Sequence, residues 1–307
     1  MQLFFDIAIN VTLPIVAISA LGYVTQARIR LDVASINRLL VIVIMPCFLV
    51  HFLASARQPV SEIWPVAYFT VVQFLILIPV GWLAALAFGL PRALGPLMAM
   101  ATVYANVGNY GIPLVQLAFP SEFILHQSVI TALMTMLMVT VGAWLLAPGD
   151  RQATFASRFA KAFETPIVPA VILGLSLRAL EIRLPQAIGT PIELLGSTFP
   201  PLALFAMGAQ LATRTAGAVD IGRLSLILIL KLVIAPAVTW GLAIAMGMPE
   251  QLTDLLVVAA ATPIGILLAL FCVEYGREPK FINTAILMST VLSPLTVTAW
   301  VMLTRIY

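Results

Sequence analysis

Polar and helix-breaking residues interrupt one long apolar segment, residues 101–113, and mark the strongest candidate binding site of the chain. The interrupting residues are Asn106, Gly108, Asn109, Gly111 and Pro113. Glycine and proline disfavour a helix interior, and an asparagine amide is costly in apolar surroundings unless it has a partner. We therefore predict a broken helix whose amides bind a ligand. The alternative is a kinked helix whose glycines serve packing.

A second interruption lies in the other half of the chain, at Thr262, Pro263 and Gly265. A shift of 154 residues carries Gly111 onto Gly265 and Asn109 onto Pro263. Because the two interruptions occupy matching positions, we predict that they form one substrate site, and we include these three residues in it.

Lys231 is the one charged residue well inside an apolar segment, roughly 12 Å beyond Arg223 on a helix that rises 1.5 Å per residue. A charge at membrane depth is expensive and functional by default. We include Lys231 in the predicted site, where its ammonium would pair with an anion or replace a coupling cation. The alternatives are a lysine that snorkels to the headgroups or one that donates to carbonyls for stability.

Membrane-spanning helices must position these residues. The 307 residues are 62% hydrophobic and 9% charged, whereas soluble domains carry about 25% charged residues. Stretches longer than the roughly 20 residues that cross a bilayer contain no Asp, Glu, Lys or Arg: residues 63–91, 93–121, 123–148 and 281–304. Because lipid offers backbone groups no partner, such runs form helices.

The apolar runs predict an all-α polytopic membrane protein with ten spans. We place the spans at residues 7–27, 36–56, 63–88, 93–119, 122–146, 163–180, 192–213, 223–247, 252–275 and 281–304. The sixth has the shortest uncharged core, residues 165–177.

The two halves of the chain, residues 1–148 and 149–307, repeat each other. Four matches occur in order at shifts of 153 to 158 residues: Pro46 with Pro200, residues 29–31 with 182–184, Gly89 with Gly247, and residues 131–134 with 284–287. Five spans per repeat is an odd number, so the second copy must insert upside down. Inverted repeats with interrupted helices build many secondary transporters.

The polarity of the interrupted spans favours an anionic ligand. In each, the half-helix after the break begins near the membrane midplane and presents unpaired N–H groups there. We expect one of these half-helices to begin near Pro113 and the other after Gly265. Two positive helix ends would then meet at one place.

Other classes of function lack their sequence signals. A cation/proton antiporter of similar architecture would need a carboxylate near the crossing, yet the aspartates lie at span ends: Asp6, Asp32, Asp150, Asp220 and Asp254. The sequence contains neither a GxSxG nor an HExxH motif, either of which would indicate an enzyme. Inverted repeats with broken helices do not favour a channel over a carrier. We predict no metal or cofactor, since Cys47 and Cys272 have no ligand-like neighbours. A net charge of +3 forms no nucleic-acid-binding patch.

Four stretches spread over nearly the whole chain are similar to motifs of one known family: residues 36–39 with 45–52, Asn106 with 111–114, residues 203–208, and residues 263–265 with 274–275. On these motifs the chain resembles the auxin efflux carrier family, within the bile acid/auxin type of inverted-repeat carriers. Bacterial members of the family include proposed malonate carriers.

The resemblance implies ten helices whose fourth and ninth members cross at their breaks. It also implies a homodimeric scaffold domain of spans 1, 2, 6 and 7 and a mobile transport domain of spans 3–5 and 8–10. The plant carriers have a long loop at mid-chain, where this chain has only residues 147–165. We therefore expect a bacterial cell-membrane carrier of a small organic carboxylate rather than of auxin, with an elevator-like mechanism and H⁺ or Na⁺ as candidate coupling ions.

Basic residues predict that both termini face outward. With the N-terminus outside, eleven lysines and arginines fall in inner loops and four at outer positions, with Lys231 in a span. Cytoplasmic loops carry the excess of Lys and Arg.

Cysteine labelling tests this orientation. In a cysteine-free background, an impermeant maleimide added outside intact cells should label a cysteine at position 305 and not one at position 153. Labelling at 153 but not at 305 would overturn the orientation.

Overall fold

A computed structural model describes residues 7–56, 62–147, 160, 163–213 and 219–306. Within these residues the fold is helical, without a strand and with one isolated β-bridge. The division into repeats at residue 148 and the orientation stay predictions. Several basic residues used for the orientation lie outside the described residues: Arg57, Arg151, Arg158, Lys161 and Arg214.

Twelve helices form the main part of the described fold. In chain order they are α1 (Ala8–Ile29), α2 (Val33–Ser55), α3 (Ile63–Ala87), α4 (Gly95–Val103), α5 (Gly111–Ala118), α6 (Phe123–Leu146), α7 (Ile167–Ala179), α8 (Gln186–Thr213), α9 (Ile221–Ala245), α10 (Glu250–Ala261), α11 (Leu267–Glu274) and α12 (Pro279–Ile306).

Seven of these helices are long and apolar enough to cross a membrane, namely α1, α2, α3, α6, α8, α9 and α12. The multi-pass helical fold agrees with the sequence prediction. The fourth and ninth predicted spans are each a pair of short helices, α4 with α5 and α10 with α11. The sixth is the 13-residue helix α7.

Prolines in three long helices follow a widened, π-helical turn. The turns at Ala8–Thr12, Leu40–Ile44 and Leu230–Ile234 precede Pro14, Pro46 and Pro236 respectively. Proline donates no N–H and its ring collides with the carbonyl four residues back. A π turn relieves both problems without ending the helix, so α1, α2 and α9 continue through their prolines.

Aspartates at span ends cap helices. Asp32 accepts the Ser35 hydroxyl at 2.5 Å and the N–H groups of Ala34 and Ser35 at 3.1 and 3.2 Å, at the start of α2. The Ser35 hydrogen bonds lower the pKa of the Asp32 carboxyl. Asp220 likewise accepts the N–H of Arg223 at 3.0 Å and caps α9. Their position at helix ends therefore has a structural cause.

The apolar core divides into groups of helices. The largest cluster draws only on α3–α6, α9–α12 and the segments that interrupt them, with Phe69, Met100 and Leu268 among its fully buried members. A second cluster joins α2, α7 and α8 to one face of α6. A third places α1 against α8 and the ends of α5, α10 and α12.

Helices α1 and α8 pack in backbone contact. A β-carbon added at Gly22 would overlap the carbonyl of Phe205, and one added at Gly208 would overlap the carbonyl of Ser19. Small residues allow this close approach, and close approach is what joins helices in a membrane.

We expect Gly208→Ala to lower the thermal stability of the purified protein, because the added methyl group forces α1 and α8 apart. Overpacking of this kind costs about 1–3 kcal/mol. Gly241→Ala on α9 is the matched control, since no atom lies within 4 Å of its β-carbon position. Equal melting temperatures for the two variants in detergent would contradict the proposed packing constraint.

Candidate functional site

The two interruptions pair with each other through their backbones. The N–H of Asn106 donates to the carbonyl of Pro263 at 2.7 Å, and the N–H of Gly265 donates to the carbonyl of Tyr104 at 3.0 Å. These bonds flank the antiparallel bridge between Ala105 and Ile264. Each break thus supplies the partners that the other lost when its helix ended.

Side chains from neighbouring helices fix the interruptions from outside. The carbonyl of Val107 accepts the Gln127 amide at 2.6 Å and the Thr131 hydroxyl at 3.1 Å, both from α6. The N–H of Ile264 donates to the Ser289 hydroxyl of α12 at 3.2 Å. All three side chains are buried. The irregular backbone is therefore held by a defined set of polar contacts.

Close packing explains the glycines at the crossing. A β-carbon at Gly265 would overlap the ring of Tyr104, and one at Gly111 would lie 2.5 Å from the amide nitrogen of Gln127. At Gly108 the nearest atom would be a methyl carbon of Met45, 3.1 Å away. Gly265 is thus the position least able to accept a side chain.

A cavity of about 430 Å³ lies against the crossing. Its walls come from both interruptions, the first turns of α2 and α7, the middle of α6 and the end of α8. Its polar side chains are those of Asn37, Tyr104, Asn106, Asn109, Thr131, Thr135, Thr165 and Gln210. Among the described residues that line it, none is charged. Val41, Met45, Ile167 and Leu270 supply apolar wall.

Several hydrogen-bond donors of residues that line this cavity have no partner among the described residues. The side chains of Asn106 and Asn109 form no hydrogen bond with any described residue, although Asn106 is only 7% exposed. Among the described residues, no partner is found for four backbone N–H groups either. Two belong to Gly108 and Asn109, just before α5, and two to Ile266 and Leu267, at the start of α11. The arrangement can bind an anion or another strong acceptor.

Four of the nine residues predicted for the site line the cavity: Asn106, Gly108, Asn109 and Gly265. The other five support it or lie apart: Gly111, Pro113, Thr262, Pro263 and Lys231. Gly111 begins α5, two residues before the expected start at Pro113. The Thr262 hydroxyl donates to the carbonyl of Ala259 at 2.8 Å, and Pro263 contributes its carbonyl to the crossing.

Lys231 lies behind the crossing and not in the large cavity. It is fully buried in the π turn of α9, and its ammonium donates to the carbonyl of Ala260, at the end of α10, at 3.1 Å. A void of about 10 Å³ beside it, bounded also by Gln73 and Ala105, has room for about one water molecule. The side chain does not snorkel.

Sequence reasoning missed Asn37, Gln210, Thr131 and Thr135 as lining residues. Asn37 and Gln210 carried a usable signal, because each is an amide within a span, the same criterion that selected Asn106. The threonines carried none, since a threonine in a membrane helix commonly bonds its own backbone, as Thr131 does to the carbonyl of Gln127 at 2.8 Å.

The helical membrane fold, the paired interruptions and the cavity beside them are features expected of a membrane transport protein. A family described as membrane transport protein matches residues 7–301, nearly the whole chain. The chain belongs to this family, which is the auxin efflux carrier family expected from its motifs. A search of curated proteins finds no match.

Proposed function

We propose that this protein is a secondary active transporter that carries a small organic carboxylate across the cell membrane by elevator-like alternating access. The observation that supports this function best is the set of unpaired amide and backbone donors that two paired helix breaks present to one cavity. Such donors are costly in a membrane interior unless a ligand or water binds them.

The charge of the site favours a monocarboxylate. Since no described lining residue is basic, positive potential comes from the N-termini of α5 and α11. Each helix end carries at most about half an elementary charge, so together they offset roughly one carboxylate. A second carboxylate, as in malonate, would stay uncompensated and would be expensive to desolvate.

The inverted repeat of ten segments is part of the proposal. Its support is the correspondence of α4 and α5 with α10 and α11, which the 154-residue shift relates and which meet in antiparallel sense. An element repeated in opposite orientation is expected to pair in this way.

The elevator is supported by how the apolar core divides. The largest cluster is confined to α3–α6 and α9–α12, which suits a body that moves as a unit. The two smaller clusters lie where that body meets α1, α2, α7 and α8, which would form the static, dimerising scaffold. The cavity lies between these two groups. The start of α2 and the end of α8 line it, and the predicted orientation places these helix ends inside.

Within the proposed scaffold, α2 and α8 pack closely on each other. Phe48 of α2 and Phe199 of α8 have ring centroids 5.3 Å apart, and Gly196 lets α8 approach the backbone of Phe48. A cation/proton antiporter gains no support, because Lys231 is the only charged side chain among the buried described residues.

Uptake into proteoliposomes tests the function. Labelled propionate, lactate, phenylacetate, malonate and succinate would each be offered with an imposed proton gradient, an imposed sodium gradient, or neither. Gradient-dependent uptake of a monocarboxylate is the expected result, and its dependence on the gradient identifies the coupling ion. Uptake of none of the five acids would overturn the proposal.

We expect Asn106→Ala to weaken carboxylate binding by about tenfold to a hundredfold, because a charge-assisted hydrogen bond contributes roughly 1.5–3 kcal/mol. Asn106→Asp should weaken it further, since it sets a like charge against the substrate. Gln116→Ala, on the exposed face of α5, is the control and should leave affinity unchanged. Direct binding to the purified protein measures all three, and equal affinity of parent and Asn106→Asp would contradict the site.

We expect Lys231→Met to abolish gradient-driven uptake while the protein stays folded in the membrane. The substitution removes the cation that binds the carbonyl end of α10, next to the interruption. Lys280→Met, at an exposed position, is the matched control. Normal uptake by Lys231→Met would show that the lysine has a structural role only.

A further inference from the structure

Two amides on the scaffold side of the cavity form a pair that the proposed carboxylate site does not use. The Gln210 amide of α8 donates to the Asn37 side-chain oxygen of α2 at 2.6 Å. Both residues line the cavity whose other wall contains Asn106 and Asn109. Gln210 is only 7% exposed and Asn37 is half-buried.

The pair leaves some of its hydrogen-bond donors and acceptors unused. The bond uses one N–H of Gln210 and one lone pair of Asn37, which leaves the Gln210 oxygen, its second N–H and the amide nitrogen of Asn37. Within the described residues these groups have no other hydrogen-bond partner. Two amides that only fastened α2 to α8 would not need to face an open cavity with donors and an acceptor unused.

The remaining groups are uncharged, and together they can both donate and accept hydrogen bonds. An amide pair can donate to and accept from one hydroxyl or carbonyl group, but it adds no charge for a second carboxylate. Val41 and Met45, on the same face of α2, line the cavity beside the pair with apolar surface. The wall therefore suits a short apolar chain that ends in an uncharged polar group.

We propose that Asn37 and Gln210 form a second subsite, which binds a hydroxyl or carbonyl group of a substrate whose carboxylate is held at the crossing. The substrate class is then a hydroxy- or oxo-monocarboxylate. This inference rests on the proposed function, since it requires the carboxylate to bind at Asn106 and Asn109.

Calorimetric binding of matched acids to the purified protein tests the subsite. The probes are propionate against lactate and butyrate against 3-hydroxybutyrate, each pair differing by one hydroxyl group. The parent should bind the hydroxy acid of at least one pair about three- to tenfold more tightly, as expected for one neutral hydrogen bond. In Gln210→Leu that ratio should fall to about one, while the affinity for the unsubstituted acid stays within about threefold.

Two further variants separate recognition from structure. Gln210→Glu is nearly isosteric and can still accept a hydrogen bond from the Asn37 amide, so the α2–α8 contact is kept. It should weaken binding of all four acids by at least about tenfold, because a carboxylate would face the substrate. Gln186→Leu, at the exposed start of α8, is the control and should change neither affinity nor ratio.

The outcomes distinguish the two proposals. If no acid binds the parent, the proposed function and the subsite both fail. If the acids bind and Asn106→Ala weakens both members of each pair, the carboxylate site stands. An unchanged hydroxy-to-unsubstituted ratio in Gln210→Leu, or normal binding by Gln210→Glu, would then overturn the subsite alone and leave the amide pair a structural link.

Discussion

Every backbone polar group inside a bilayer needs a partner within the protein, and the interrupted helices of this fold depend on that constraint. A helix that stops in mid-membrane leaves carbonyls unpaired at its C-terminal end and N–H groups unpaired at its N-terminal end. The bonds from Asn106 to Pro263 and from Gly265 to Tyr104 resolve part of this deficit, because each break supplies the acceptor for the other. The pairing explains why broken segments occur in both halves of the chain at matching positions.

The residue types around the crossing follow from the same requirement. Proline at 263 lacks an N–H and so adds no unpaired donor, while its carbonyl is used. Gln127, Thr131 and Ser289 bring side-chain groups to backbone atoms that the pairing leaves over. The groups that stay unpaired include the amides and N–H groups of residues that line the cavity. The proposed binding site is built from donors that this pairing leaves without a partner.

Sequence alone predicted the features that depend on local composition. The helical membrane fold, both breaks and the amides of Asn106 and Asn109 followed from apolar runs and the residues that interrupt them. Features that depend on which helices touch were out of reach. Lys231 is conspicuous in sequence, but its acceptor, the carbonyl of Ala260, is 29 positions away and depends on how α9 packs on α10. The Asn37–Gln210 pair joins residues 173 positions apart, and no periodicity in one chain relates them. The start of α5 at Gly111 rather than at Pro113 has a local cause, because the N–H groups of Gly111 and Ile112 donate to the carbonyls of Asn106 and Gly108.

The positions of Lys231 and the cavity have an electrical consequence for the proposed mechanism. The lysine lies on α9, within the group of helices assigned to the moving body, and separated from the cavity by the crossing. With its ammonium charged, that body carries one buried positive charge when empty and is nearly neutral when it holds a monocarboxylate. Moving one elementary charge through the membrane potential changes the free energy by about 2.3 kcal/mol per 100 mV. The substrate would therefore cancel the electrical work of its own transfer, whereas the return of the empty body would respond to the membrane potential. A dicarboxylate would leave the loaded body negative while the empty body stays positive, so both transfers would respond to the membrane potential, and only a singly charged substrate lets the loaded body move without electrical work.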